Sequence, residues 1–263
     1  MNISKLSRSD LKEFLDEKVY LFETRDFIPD DPISIPHMFS DKRDVEIAGF
    51  LASTIAWGNR KSILKNANSL IERMGHAPYD FVMNFTDSDR SAFNGFVHRT
   101  FQPEDVFCFM QALKRIILTH GSIESLISKH WVEDGRPDTI KSSLAHFHQV
   151  FFDQPHAPRS RKHVANPAKG SAAKRLNMYL RWMVRSADKG VDLGVWSEIP
   201  TSVLSIPLDV HTSNVGRQLG MLTRKQNDWK AVSELDASLR EFDPVDPVKY
   251  DFALFGLGAI EGF

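Results

Sequence analysis

Cysteine is almost missing from this 263-residue sequence: Cys108 stands alone. A single thiol excludes an intramolecular disulfide framework, a cysteine-ligated zinc site and a cysteine-held iron–sulfur cluster. Long apolar runs are missing too. The richest stretch, Ile47 to Trp57, is interrupted and falls well short of the ~20 residues a membrane-spanning helix needs. Met1 to Lys5 lacks the apolar core of a secretory leader, so a cytoplasmic, reducing setting and no membrane partner are expected. Charge of one sign is not in excess either. The net charge of −1 gives no global attraction to nucleic acid. Hydrophobic content of 42% and charged content of 25% are ordinary for a packed globular chain and exclude wholesale disorder.

What is present is helical periodicity. Ser9 is a candidate cap for a first helix through Val19, with Leu11, Phe14, Leu15 and Val19 on one side. Asp44 to Trp57 is apolar nearly all round, which predicts a central buried helix stopped by Gly58 and Asn59. Further helices are predicted over Lys61 to Met74, Glu104 to Thr119, Ile123 to Ser128, Ile140 to Phe152, Ser171 to Arg185 and Asp209 to Leu219. Another runs through Trp229 and Phe242, and a last one begins at Asp246-Pro247. No strand pattern of comparable quality occurs, so the expected class is all-α.

Two elements stand out chemically. Between Arg159 and Lys189 there are nine basic residues against one acid, Asp188. Within that block, Asn166-Pro-Ala-Lys-Gly-Ser-Ala-Ala-Lys-Arg175 places a Gly-Ser break before a helix, where exposed N–H groups favour an anion. Lys174, Arg181 and Arg185 are spaced seven and four residues apart, a stripe along which a phosphate strand is expected to lie. The plain alternative is a solvated basic face. The second element is Ile206-Pro-Leu-Asp-Val-His-Thr212, in which proline holds the chain extended and Asp209 opens a helix. Such an aspartate is most often a simple cap. A carboxylate so placed also suits electrostatic stabilisation of a developing cation.

Taken in this order, the two elements resemble the helix-hairpin-helix superfamily of base-excision DNA glycosylases. Pro207, Asp209 and His211 match its aspartate motif, continued by Val215, Gly216 and Arg217. Glu46 to Arg60 is similar to the family's early buried helix, which ends in a DNA-facing polar turn, here Trp57-Gly58-Asn59-Arg60. The run Lys174 to Arg185, with Pro207 to His211 and Asp246 to Gly258, also resembles a bacterial family of uncharacterised proteins, domain of unknown function 2400, over nearly the full length. The chain departs from the glycosylase hairpin in keeping one glycine, Gly170, and in inserting residues 186–206 before the aspartate. An archaeal branch acting on oxidised guanine has a similarly altered hairpin and long spacing.

The resemblance implies a single helical domain of two subdomains with a cleft between them, the hairpin and catalytic helix lying at about 166–219. It implies that duplex DNA is the partner and that a damaged base, such as an oxidised purine, is flipped out for excision. Asp209 would stabilise the sugar cation or activate the nucleophile. Lys174 or Lys169 would attack as an amine, giving lyase activity. DNA contacts would come from Gly170, Ser171, Arg175, Arg181, Arg185, Asn59, Arg60 and His211. Trp57 or Trp182 would stack on the base, although an aromatic in such a helix more often belongs to the core. No cofactor and no metal is implied. The ten histidines cluster only at His146-x-His148 and His156 to His163, without a carboxylate at matching helix spacing. Two rival classes stay open: a DNA-binding relative without catalysis, and a metal-dependent hydrolase built on Asp209 and histidines.

Overall fold

A computed structural model describes residues 7–263, so the Met1 to Lys5 stretch read above lies outside the described residues. Its α-helices are α1 (Arg8–Phe22), α2 (Lys42–Thr54), α3 (Arg60–Arg73), α4 (Pro78–Asn84), α5 (Pro103–His120), α6 (Ile123–Glu133), α7 (Lys141–Phe151), α8 (Lys174–Val184), α9 (Val210–Gln218), α10 (Trp229–Phe242) and α11 (Tyr250–Ala259). Short 3-10 turns connect them. Among the described residues there is no strand, only isolated bridges at His98–Phe101 and Ser171–Asp228. The protein is all-α. No helix among the described residues is long and apolar enough to cross a membrane.

The chain separates into two compact units, one of residues 28–136 and 141–165, the other of residues 7–27, 137–140 and 166–263. In the first, carrying α2 to α7, the helix predicted as central is buried from Val45 through Thr54. Phe50 meets Phe109 of α5 and Phe147 and Phe151 of α7 at ring separations of 5.6–5.7 Å. Glu46, on the same helix, turns its carboxylate to the backbone N–H groups of Ile123 and Glu124, satisfying the open start of α6.

The second unit carries α1 and α8 to α11. Here α11 packs against α1 and α9, and two glycines make the approach close. A Cβ on Gly256 would run into the Phe22 ring of α1, and one on Gly258 would sit 2.9 Å from the Cβ of His211 on α9. The glycine pair in the terminal motif is thereby explained by packing on two opposite sides of one helix.

Several boundaries move for local reasons. Ser7, not Ser9, caps α1: its hydroxyl accepts from Asp10 N while the Asp10 carboxylate accepts from Ser7 N, a reciprocal capping box. Asp246 stands at the N-cap position ahead of Pro247, as read from the sequence, but its side chain makes no cap bond. A 3-10 turn (Pro247–Lys249) separates it from α11, and its carboxylate goes to Arg185. The helix predicted from Ser171 begins at Lys174, because Ala173 adopts a left-handed conformation at φ 48°, ψ 34°. Ahead of it, residues 152–173 contain 3-10 turns and no α-helix, in keeping with prolines at 155, 158 and 167.

Gly258→Val should lower stability by about 1–3 kcal/mol through overpacking against the His211 backbone. A urea titration should show a lower midpoint with an unchanged slope.

Candidate functional site

The site is built at the start of two helices in the second unit. Asp209 is the N-cap of α9: its Oδ1 accepts from Thr212 N at 2.9 Å, which fixes the carboxylate plane. The other oxygen, Oδ2, lies 3.2 Å from Lys174 Nζ at the start of α8. Lys174 is 36% exposed and Asp209 15%, so the pair sits at the surface with its carboxylate recessed.

Two buried polar side chains hold the elements in register. Asn177, one turn into α8, donates from Nδ2 to Ala172 O at 3.2 Å and to Ile206 O at 3.4 Å. It therefore ties the turn before Lys174 to the extended segment before Asp209. Asp236, on α10, accepts from Ile206 N at 2.9 Å. Burial pushes the Asp236 carboxyl up to about 6, against the pull of Arg240 and the Ile206 N–H. The turn itself is pinned to α10, where Trp229 N donates to Gly170 O at 2.9 Å. Within the turn, Ser171 Oγ accepts from Ala173 N. Gly170 sits at φ 87°, a conformation natural to glycine, and both Gly170 and Ser171 are exposed.

Of the two candidate lysines, Lys174 meets Asp209. Lys169 is exposed on the 3-10 turn Pro167–Lys169. His211 is exposed on the first turn of α9, its ring 6.0 Å from that of Phe255. Arg175 is half-buried, and burial pushes its guanidinium down to about 10. In the other unit Asn59 caps α3 by accepting from Ser62 N, and Arg60 follows it in the open. Trp57 is half-buried there, between the rings of His98 (4.9 Å) and His163 (5.7 Å).

Three expectations are corrected. Arg181 and Arg185 do not form a solvent-facing stripe with Lys174; they are 4% and 5% exposed. Arg181 pairs with Asp251 of α11 and, at 3.2 Å, with Asp192. Arg185 pairs with Glu23 at 2.7 Å, with Asp246 at 3.0 Å and with Asp192. Both guanidiniums lie over the Phe252 ring. Their spacing, seven residues from Lys174 to Arg181 and four more to Arg185, does place them on one side of the helix, but that side is lined by acids contributed from elsewhere in the unit. Trp182 is fully buried and belongs to the core, so it is no stacking surface.

Sequence reasoning missed Asn177, Asp192, Asp236 and Asp251. A signal existed for two of them. Asn177 is a lone amide among apolar neighbours, and Asp251 is a lone acid in the run Tyr-Asp-Phe-Ala-Leu-Phe. Among the described residues no group of three or more His, Cys, Asp or Glu is placed to hold a metal ion.

The fold and this site define an all-helical protein that sets a half-exposed lysine against an N-capping aspartate. The chain matches the family described as "Protein of unknown function (DUF2400)" over residues 31–260, and it belongs to that family. No curated protein and no solved structure matches it.

Asn177→Ala should cost about 1–3 kcal/mol, since it leaves two carbonyls without their buried donor; chemical denaturation measures it. The raised Asp236 carboxyl has a definite sign. The folded chain holds that proton more tightly than the unfolded chain, whose ordinary value is 3.8. The stability it contributes is present below pH 4 and lost as pH rises to about 6. Asp236→Asn keeps an acceptor for Ile206 N and should flatten that decline by on the order of 2 kcal/mol, read from denaturation midpoints between pH 4 and 7.

Proposed function

We propose that this protein is a base-excision DNA glycosylase with lyase activity, acting on a damaged base flipped out of duplex DNA, such as an oxidised purine. The observation that carries the reading is the 3.2 Å approach of Lys174 Nζ to Asp209 Oδ2 beside an exposed turn. It brings Asp209 to one of the two lysines that the glycosylase resemblance offers as the amine, although 35 positions separate Lys174 from Asp209 in the sequence.

In this scheme the Lys174 amine, after losing a proton, attacks the sugar carbon that bears the base. The base leaves with the bonding electrons and takes up a proton. Ring opening then gives an imine to the lysine, from which the lyase step proceeds. Asp209 stabilises the positive charge that develops on the sugar. The backbone phosphates are taken by the exposed turn at Lys169, Gly170 and Ser171 and by the N–H groups that open α8. His211, exposed on the first turn of α9, supplies a further contact. Arg181 and Arg185 have no part in DNA contact because their charges are consumed inside the unit.

A second reading, a DNA-binding relative without catalysis, draws on the same turn. It keeps one glycine and is preceded by 3-10 turns rather than an α-helix.

Duplexes carrying single lesions, incubated with protein and then borohydride, decide between the two. Wild type should excise at least one lesion and be trapped covalently. Lys174→Ala should abolish trapping while Lys169→Ala retains it, and Asp209→Asn should slow excision by about 100-fold or more. Excision undiminished in Asp209→Asn overturns the assignment. Salt-dependent duplex binding with no turnover on any lesion establishes the non-catalytic relative.

A further inference from the structure

The connection between α9 and α10, residues 219–228, has no part in the scheme above. Together with the first turns of α10 it forms a groove of about 520 Å³, lined by Thr223, Arg224, Lys225, Gln226, Lys230 and Glu234. Three of these side chains are cations and one is an acid.

Both flanking helices fix the shape of the groove. From α9, Arg217 donates from Nε to Arg224 O at 2.9 Å, and from Nη2 to Lys225 O at 3.0 Å and Asn227 Oδ1 at 2.6 Å. Asn227 donates in turn to Ser213 Oγ of α9 at 2.9 Å. From α10, Glu234 Oε1 accepts from the N–H and the hydroxyl of Thr223, both at 2.6 Å, and Oε2 accepts from Arg224 N at 3.3 Å. A loop pinned through its carbonyls on one side and its N–H groups on the other binds a ligand with little further ordering.

The charges in the groove are unevenly committed. Glu234, its only acid, is turned to the loop N–H groups. Arg224 donates from Nε to Asp228 Oδ1 at 2.7 Å, and from Nη2 to Gln226 Oε1 at 2.8 Å and to Asp228 Oδ2. Asp228 also accepts from Lys230 N and Ala231 N, so the start of α10 is already capped. Lys225 and Lys230 are different. Both are exposed, and among the described residues neither ammonium has an acidic partner. A preformed groove with two uncommitted ammonium groups beside a guanidinium suits an anion rich in oxygen.

Its position indicates which anion. Trp229 N donates to Gly170 O at 2.9 Å, and Ser171 forms an antiparallel bridge with Asp228. The groove therefore adjoins the exposed turn to which the scheme assigns backbone phosphates, and Asp228 belongs to both: it bridges Ser171 and holds Arg224.

We propose that the groove between α9 and α10 is a second phosphate-binding site, in which Arg224, Lys225 and Lys230 hold backbone phosphates of the DNA strand that passes Gly170 and Ser171. It rests on the reading of duplex DNA as the partner. Contacts of this kind set the register of the duplex and carry no base preference.

Binding of the intact protein to a short undamaged duplex, followed by fluorescence anisotropy over a range of NaCl concentrations, tests this without turnover. Each phosphate contact contributes about 0.9 to the slope of log affinity against log salt. Lys225→Gln/Lys230→Gln should therefore reduce the slope by about 1.8 and weaken binding about 10-fold or more at low salt. Lys189→Gln removes an exposed charge beyond the other end of α8 and should leave the slope unchanged. A slope unchanged in the double variant overturns the proposal, as does a fall of about 0.9 in Lys189→Gln. A wild type that binds no duplex overturns it together with the DNA reading. Because no excision is required, absence of turnover on every lesion leaves the result standing, and its failure is distinct from a failure of base excision.

Discussion

Two guanidiniums buried among four carboxylates fix the position of α8, and the site at its other end depends on them. Arg181 and Arg185 reach Asp192, Asp251, Asp246 and Glu23, so one helix is tied at once to α11, to the end of α1 and to the connection after it. Burial works against the charge on Arg185, but Asp192, Asp246 and Glu23 outweigh it and the guanidinium is held firmly protonated. Ionic contacts of this kind add little net stability over a hydrophobic replacement. Removing one partner is another matter, because the stranded charge costs about 3–5 kcal/mol. Such a cluster therefore specifies an arrangement more than it strengthens one. Any sliding or rotation of α8 would break several directional pairs together.

The connection over residues 186–206 has a structural task. It brings Asp192 between the two arginines. It also satisfies the end of α8, where Leu193 N donates to Trp182 O and Trp196 N to Met183 O, both at 2.8 Å. The Trp196 ring then meets Tyr179 edge-on at 5.4 Å. These residues thus complete the helix that carries Lys174. Asn177 and Asp236 act at the opposite end of the same path, where the chain returns to Ile206 and Asp209.

The helices were legible in the sequence because burial imposes a 3.6-residue period on apolar side chains, and α2, α3, α5 and α9 fall close to where that period puts them. Asp209 was legible for a local reason: a carboxylate that follows a proline-held extended segment and opens a helical pattern is favoured as an N-cap. The arginines were not. Periodicity reports which residues share a side of a helix, and it placed Lys174, Arg181 and Arg185 correctly on that count. Whether that side meets water or acids depends on residues 23, 192, 246 and 251, at separations that no local pattern encodes. The start of α8 escaped for a related reason. Ala173 in the left-handed region is costly for a residue with a Cβ, by roughly 1–2 kcal/mol, and occurs only where surrounding contacts enforce it. Here the contacts are the pinning of Gly170 by Trp229 and the Asn177 bond to Ala172 O.

The identity of residue 209 separates what the fold requires from what it does not. One oxygen of Asp209 caps α9, and for that task Ser, Thr or Asn would serve about as well. The second oxygen, turned to Lys174, does nothing for the cap. An ion pair with a half-exposed lysine contributes about 0–1 kcal/mol, too little to account for the carboxylate on stability grounds. The helix dipole favours negative charge at that end, yet this unit already holds more acids than bases nearby, and Asp209 adds repulsion with Asp251. A neutral cap would relieve that repulsion and keep the helix. A charged one, held by its own cap bond against a lysine whose helix is anchored by buried arginines, is what a site for stabilising positive charge requires, and the proposed excision chemistry gives that charge something to do.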